Sequence, residues 1–367
     1  MASTDARDKK TIGKLSKLAR EVVRDINAEK DPSLSIPSRS LGNVTFDEAR
    51  SIIELGDQKQ QRQLFNVAHA RKFMQTFLIA DACRELIDEG KTTSIRDLYY
   101  ITKHTLEGSR QNTFEDQDES DPIIEDLEVT IDALREELHL FATNKGSMVG
   151  PMTIVDSGDA IDLRRLGSGG WSIPSIVESN VIQFQECDAE YILLVEKDAV
   201  WRRLNEDKFW RANKCLLLTG QGMAPRGVRR LLYRMHKELK LPVYVLVDND
   251  PWGFYIYSVI KQGSINLAYE SLRMAVPKAR FIGMSSMDRE AFQLPDNVTI
   301  KLNDQDISRA KQMLAYPWFD KKAWQKELKT MLRSGVKLEL EAFSNKGISY
   351  ISEEYLPKKI RDRKWLA

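Results

Sequence analysis

The sequence predicts a mixed protein, α/β plus α: a helix-turn-helix or winged-helix unit followed by an α/β unit built on a parallel sheet. Three observations carry the prediction. Apolar runs at Tyr191–Val195, Cys215–Leu218 and Val243–Val247 alternate with helical patterns, as the buried strands of a parallel sheet do. Upstream, a long helical pattern stops at Gly90 and a short one follows at once. The length of 367 residues suits about two domains with an additional arm.

Taken in order, residues 1–62 read as an N-terminal helical arm and tether. Leu15, Leu18, Val22, Val23 and Ile26 recur at helical spacing, and the proline- and serine-bearing stretch 31–37 ends the helix. Residues 63–155 read as the helix-turn-helix or winged-helix domain. Its first helix runs from Leu64 to Asp88 (Phe65, Ala68, Phe73, Phe77, Ala80, Leu86) and its second from about Ser94 to His104. Such a pair serves either DNA binding or simple packing. Residues 115–138 hold eleven acidic side chains and one base, Arg135, which suggests a solvated helix with an acidic face. The short apolar runs around Gly146 and Gly150 suggest a hairpin or wing.

Residues 156–367 read as the α/β domain. Gly167-Ser168-Gly169-Gly170 lacks the spacing of a phosphate loop and is a plain loop. The three strong strands and a weaker one at Phe281–Met284 enclose helices, including Gly227–Leu239 with a basic face. Helical segments near 306–314, 320–333 and 336–343 close the chain.

Composition excludes several classes. With 42% hydrophobic and 30% charged residues the chain can build a core. Cys83, Cys187 and Cys215 are scattered, as are His69, His104, His139 and His236, so neither a disulfide framework nor a zinc site is indicated. No apolar run approaches the roughly 20 residues of a membrane span, and the N-terminus lacks a secretory core, so a cytoplasmic protein is expected. Net charge is +1, yet residues 115–138 contribute −10 and residues 199–240 contribute +8. A polyanion partner is therefore compatible with the near-zero total. Lys103, Arg226, Arg229 and Arg230 are candidate DNA contacts.

Function in an open parallel sheet concentrates at the carboxyl ends of its strands. Glu196 follows Val195 there, and Asp248 and Asp250 follow Val247. Asp248-Asn249-Asp250-Pro251 by itself fits a turn or a metal site equally. Adding Glu196 favours the metal, since both aspartates can converge on it if their strands are neighbours, and an all-oxygen donor set suits Mg²⁺. Thr219-Gly220-Gln221-Gly222 after the middle strand leaves room for a backbone or a phosphate.

On the short helix, Ile95, Leu98 and Tyr99 share one stripe at roughly 100° per residue. Tyr100 falls off that stripe, on the face of Arg96 and Lys103. A phenol with a pKa of about 10 is a weak nucleophile, and a nearby guanidinium favours its ionised form. Tyr100 is either a rim aromatic or a nucleophile; the carboxylates downstream favour the second, which describes DNA strand breakage and rejoining.

Arg96-Asp97-Leu98-Tyr99-Tyr100, Val195-Glu196-Lys197, Thr219-Gly220-Gln221-Gly222 and Asp248-Asn249-Asp250-Pro251-Trp252-Gly253 resemble, in order and spacing, the family of the A subunit of archaeal DNA topoisomerase VI. That family is related to the meiotic double-strand-break transesterase, and the likeness covers nearly the whole chain. The resemblance implies a winged-helix domain followed by a Toprim domain. It implies Tyr100 as nucleophile, Arg96 as catalytic arginine and Glu196, Asp248 and Asp250 as the Mg²⁺-binding carboxylates. It further implies a homodimer in which each tyrosine works beside the partner protomer's metal site, acting on double-stranded DNA. An ATPase B subunit would complete an A2B2 heterotetramer, with ATP bound there and not on this chain. Two other readings remain: a Toprim-type Mg²⁺-dependent nuclease or primase-like enzyme, and a non-catalytic helix-turn-helix DNA-binding protein.

Overall fold

The first helix, α1 (Ala6–Asn27), buries Thr11, Leu15 and Leu18 and leaves Val23 and Ile26 exposed. The computed structural model describes residues 6–363, Trp365 and Leu366. The chain divides into two units, one formed by residues 1–45, 55–143 and 265–269, the other by 46–54, 144–264 and 270–367.

In the first unit, β1 (Ser33–Pro37) pairs antiparallel with β2 (Lys59–Gln63), and Leu34 and Ile36 alternate inward. The stretch expected to be a tether is therefore a strand, and α1 packs into the same core instead of standing off as an arm. Helix α2 (Val67–Glu89) is capped by the Asn66 side chain and ends at Gly90, whose φ of 64° is the left-handed conformation of a helix stop. The strand pair β3 (Thr93–Ser94) and β4 (Leu140–Phe141) brackets α3 (Ile95–Thr102) and α4 (Gln117–Ile131). Ser94 caps α3 by accepting from Asp97 N at 3.0 Å.

The acidic stretch corrects the expectation of a solvated face. Asp126 and Glu128 on α4 are buried. Asp126 accepts from Arg39 Nη2 at 2.9 Å and Arg62 Nη2 at 2.6 Å. Glu128 accepts from Arg135 Nε at 2.7 Å and from the Tyr269 hydroxyl at 2.5 Å. Buried charge survives only when paired; Arg39 and Arg62, distant in sequence, pair with Asp126, and Arg135 from the same stretch pairs with Glu128.

In the second unit come β5 (Ser147–Val149), β6 (Met152–Asp156), β7 (Asp159–Asp162), β8 (Trp171–Ser172) and β9 (Ile182–Cys187). They are followed by β10 (Tyr191–Val195), β11 (Cys215–Thr219), β12 (Val243–Leu246) and β13 (Arg280–Phe281). A six-stranded sheet has the order β8-β5-β11-β10-β12-β13, in which β10 pairs in parallel with both β11 and β12. Every residue of β10, β11 and β12 is buried, which explains their continuous apolar sequence. Helices α5 (Asp198–Glu206), α6 (Arg226–Glu238), α7 (Pro251–Gln262), α8 (Asp304–Leu314) and α9 (Lys322–Ser334) accompany the sheet. The expected boundary at residue 155 shifts to 143/144. Ser147–Val149 joins β11 as an antiparallel strand, and β6 belongs to a separate three-stranded sheet of order β9-β6-β7. Among the described residues no helix is long and apolar enough to cross a membrane.

Candidate active site

Parallel pairing of β10 with β12 brings their carboxyl ends to one edge. Glu196 N donates to Leu246 O at 3.0 Å, so Glu196 leaves its strand beside the Asp248 loop. Gly222 N donates to Glu196 O at 2.9 Å, which draws the turn after β11 to the same edge. Gly253 packs so closely under the loop that a Cβ would sit 2.9 Å from Asp248 O.

The three carboxylates have different surroundings. Asp250 caps α7, its Oδ1 accepting from Gly253 N at 2.5 Å. Asp248 Oδ1 accepts from Leu340 N at 2.8 Å, and its Oδ2 faces Lys197 Nζ at 2.9 Å. Glu196 Oε2 is buried and has no hydrogen-bond partner. Burial, then the charges of Asp248 and Asp250, push the Glu196 carboxyl up to about 8. Burial likewise raises Asp248, to about 6 against the pull of Lys197, and raises Asp250.

This donor set fits a divalent cation. One carboxylate oxygen is orphaned, and the charges of Asp248 and Asp250 raise the proton affinity of Glu196, a strain that a cation relieves. Among the described residues no three His, Cys, Asp or Glu side chains are already gathered into a metal cage. Mg²⁺ takes one or two carboxylates and keeps several waters. Lys197 supplies positive charge there, its Nζ 2.7 Å from Glu341 and 3.1 Å from Glu339 as well as touching Asp248. Glu339, Glu341 and the Leu340 amide were not anticipated from sequence. They lie about ninety positions from Asp248 with no local signal to join them.

The short helix α3 has the facing expected of it. Leu98 and Tyr99 are buried while Tyr100 is 59% exposed. Tyr99 anchors the pair, its hydroxyl donating to Glu115 O at 2.9 Å and accepting from Lys103 Nζ at 2.7 Å. Tyr100 stands edge-on to Tyr99, ring centroids 5.0 Å apart. Arg96 is exposed one turn before Tyr100, and among the described residues no hydrogen bond joins the two. Tyr100 and Arg96 lie in the first unit and the carboxylates in the second.

The basic face of α6 is a correction. Arg226 pairs with Glu270, which is 0% exposed, and Arg229 lies 3.7 Å from the same carboxylate. Arg230 donates to both oxygens of Glu178, at 2.6 and 2.9 Å. These guanidiniums neutralise internal carboxylates and present no open basic surface; in the other unit, Lys103 lies near Tyr100.

A parallel α/β domain with acidic strand ends is the architecture of the Toprim class, and residues 191–360 match the family described as the Toprim domain of the topoisomerase 6 A subunit and Spo11. Residues 71–140 match "Type IIB DNA topoisomerase", and residues 144–188 match "All-beta domain in DNA topoisomerase VI alpha subunit". The A subunit of type 2 DNA topoisomerase 6 from Pyrococcus horikoshii is 46% identical, covering 97% of this chain and 95% of its own. The protein of the same name from Aeropyrum pernix is 40% identical over 94% and 92%. The A3 subunit of DNA topoisomerase 6 from Oryza sativa subsp. indica is 34% identical over 96% and 78%. The chain belongs to the family of the topoisomerase 6 A subunit.

Proposed function

We propose that Tyr100 is the nucleophile with which this chain cuts DNA, and that Glu196, Asp248 and Asp250 hold Mg²⁺ for the reaction. The chain is the DNA-cleaving subunit of a type IIB DNA topoisomerase, an isomerase, as its family membership implies. The observation that carries the residue assignment is the exposure of Tyr100 beside a buried and anchored Tyr99. A structural tyrosine would be the one packed inward.

The phenolic oxygen attacks a backbone phosphorus; a P–O bond to Tyr100 forms as the P–O3′ bond breaks. The phenol gives up its proton, the departing 3′ oxygen takes one up, and the 5′ end stays on the enzyme. Arg96 lies one turn away on the same exposed side of α3 and holds the attacked phosphate, while Lys103 adds positive charge. Bound Mg²⁺ would neutralise charge on the phosphate. Return of the 3′-hydroxyl reseals the strand without external energy, since the phosphotyrosyl bond conserves that of the phosphodiester.

The helix pair α2 and α3, within residues 63–143, is read as the helix-turn-helix of a winged-helix domain, and the remainder as a small β module with the Toprim domain. Two copies cutting opposite strands would open a double-strand gate. Each tyrosine would work beside the partner protomer's carboxylates. An ATPase B subunit, in an A2B2 assembly at the nucleoid, would drive passage of a second duplex. Relaxation of supercoiled DNA by the chain with its B subunit, ATP and Mg²⁺, and its loss in Tyr100→Phe, is the test. Hydrolysed or extended DNA without a protein adduct would favour a nuclease or primase-like activity instead.

A further inference from the structure

Asn249 stands between Asp248 and Asp250 and is only 1% exposed. Its backbone forms an isolated bridge with Leu338, donating to Leu338 O at 2.9 Å and accepting from Leu338 N at 3.1 Å. Its side chain is held separately: Nδ2 donates to Glu327 Oε1 at 2.9 Å. The same oxygen accepts from Ser286 N at 2.6 Å. Glu327 sits on α9 and is 5% exposed, so its carboxylate is committed to these donors. Ser286 lies in the segment leaving β13, which is tied to the end of β12 by Ile282 N to Val245 O and Met284 N to Val247 O, both at 3.0 Å. One carboxylate oxygen thus joins the turns after two neighbouring parallel strands.

We infer that Glu327 is a positioning residue for the Asp248–Asp250 turn. A strand end followed by a helix start has few restraints of its own. Asp248 is fixed by Leu340 N, Asp250 by the first turn of α7, and the residue between them by Glu327. Removing the carboxylate leaves a buried and a half-buried N–H without an acceptor and frees the Asn249 side chain to rotate. The turn then loses the spacing that lets both aspartates face one cation, the usual consequence of losing an outer partner of a metal ligand. A glutamine keeps a carbonyl oxygen that can accept the same two donors. The inference rests on the reading that these aspartates bind Mg²⁺.

The test uses the full chain with Mn²⁺ as the probe, bound ion being followed by electron paramagnetic resonance. Glu327→Ala is expected to weaken Mn²⁺ binding about 10–100-fold while Glu327→Gln recovers most of it. The Mg²⁺ concentration for half-maximal DNA cleavage should rise with it, and cleavage at saturating Mg²⁺ should recover. Asn249→Ala should reproduce the loss, and the double variant should lose no more than either single one; Asn249→Ala serves alone if Glu327→Ala does not fold. Unchanged Mn²⁺ affinity in a folded Glu327→Ala or Asn249→Ala variant overturns the inference, as do additive losses. Asp248→Asn separates the two levels. If it abolishes Mn²⁺ binding while Glu327→Ala leaves it intact, only the positioning role fails. If Asp248→Asn binds Mn²⁺ normally, the metal assignment fails and the inference with it.

Discussion

Lys197 Nζ lies 2.9 Å from Asp248 Oδ2, so the cation that follows one strand end meets the carboxylate that follows its neighbour. The same ammonium is 2.7 Å from Glu341 and 3.1 Å from Glu339. Lys197→Met should destabilise the metal-free protein by about 1–3 kcal/mol, less than a fully buried pair because the two glutamates are partly exposed. Mg²⁺ should then raise the melting temperature more in the variant than in the parent, since the metal replaces missing positive charge. Equal shifts would show that Lys197 does not offset the charge of these carboxylates.

Glu196 makes a pH prediction of definite sign. Its carboxyl is pushed from 4.5 to about 8 in the folded, metal-free chain, so folding takes up a proton. The group's cost to stability is absent below its unfolded value and grows as pH rises toward 8. Glu196→Gln should therefore stabilise the metal-free chain by roughly 1–3 kcal/mol near pH 8 and hardly at all near pH 4.5. Denaturant midpoints at the two pH values decide it; a gain that does not depend on pH would rule out the buried, charge-crowded carboxyl as its source.

Asp126 ties Arg39 and Arg62 together inside the first unit. Asp126→Ala leaves the buried Arg62 guanidinium without its carboxylate, while Arg39 keeps Glu125, and should cost about 3–5 kcal/mol. Urea denaturation measures this directly. A change within a few tenths of a kcal/mol would mean that the segment is solvated after all.

Arg230 should contribute to stability and not to DNA affinity, because Glu178 occupies its guanidinium. The dependence of non-covalent DNA binding on salt should be unaltered in Arg230→Gln. Loss of a phosphate contact would instead flatten the slope by about 0.9.

The features legible in the sequence are those set by local pattern. Continuous apolar runs revealed the parallel strands because each is covered on both faces. The facing of Tyr99 and Tyr100 followed from helical spacing, and Glu196, Asp248 and Asp250 from their places after strands. Pairings over long separations were not legible. Asp126 reaches Arg62 across 64 positions and Arg39 across 87, so a buried charge cluster looked like an acidic surface. Glu270 and Glu178 similarly turn the basic residues of α6 inward. The 143/144 boundary depended on an antiparallel strand, Ser147–Val149, too short to announce its partner.

Everything proposed for the reaction depends on Tyr100 becoming covalently joined to DNA. A cleavage reaction containing the B subunit, ATP and Mg²⁺ can be stopped with denaturant, the trapped complex digested and the nucleotide-bearing peptide mapped by mass spectrometry. A 5′-phosphate on Tyr100 is expected, with no adduct in Tyr100→Phe, whose stability should differ from the parent by at most about 0.5 kcal/mol at so exposed a site. An adduct on another residue, or undiminished covalent cleavage by Tyr100→Phe, would refute the assignment.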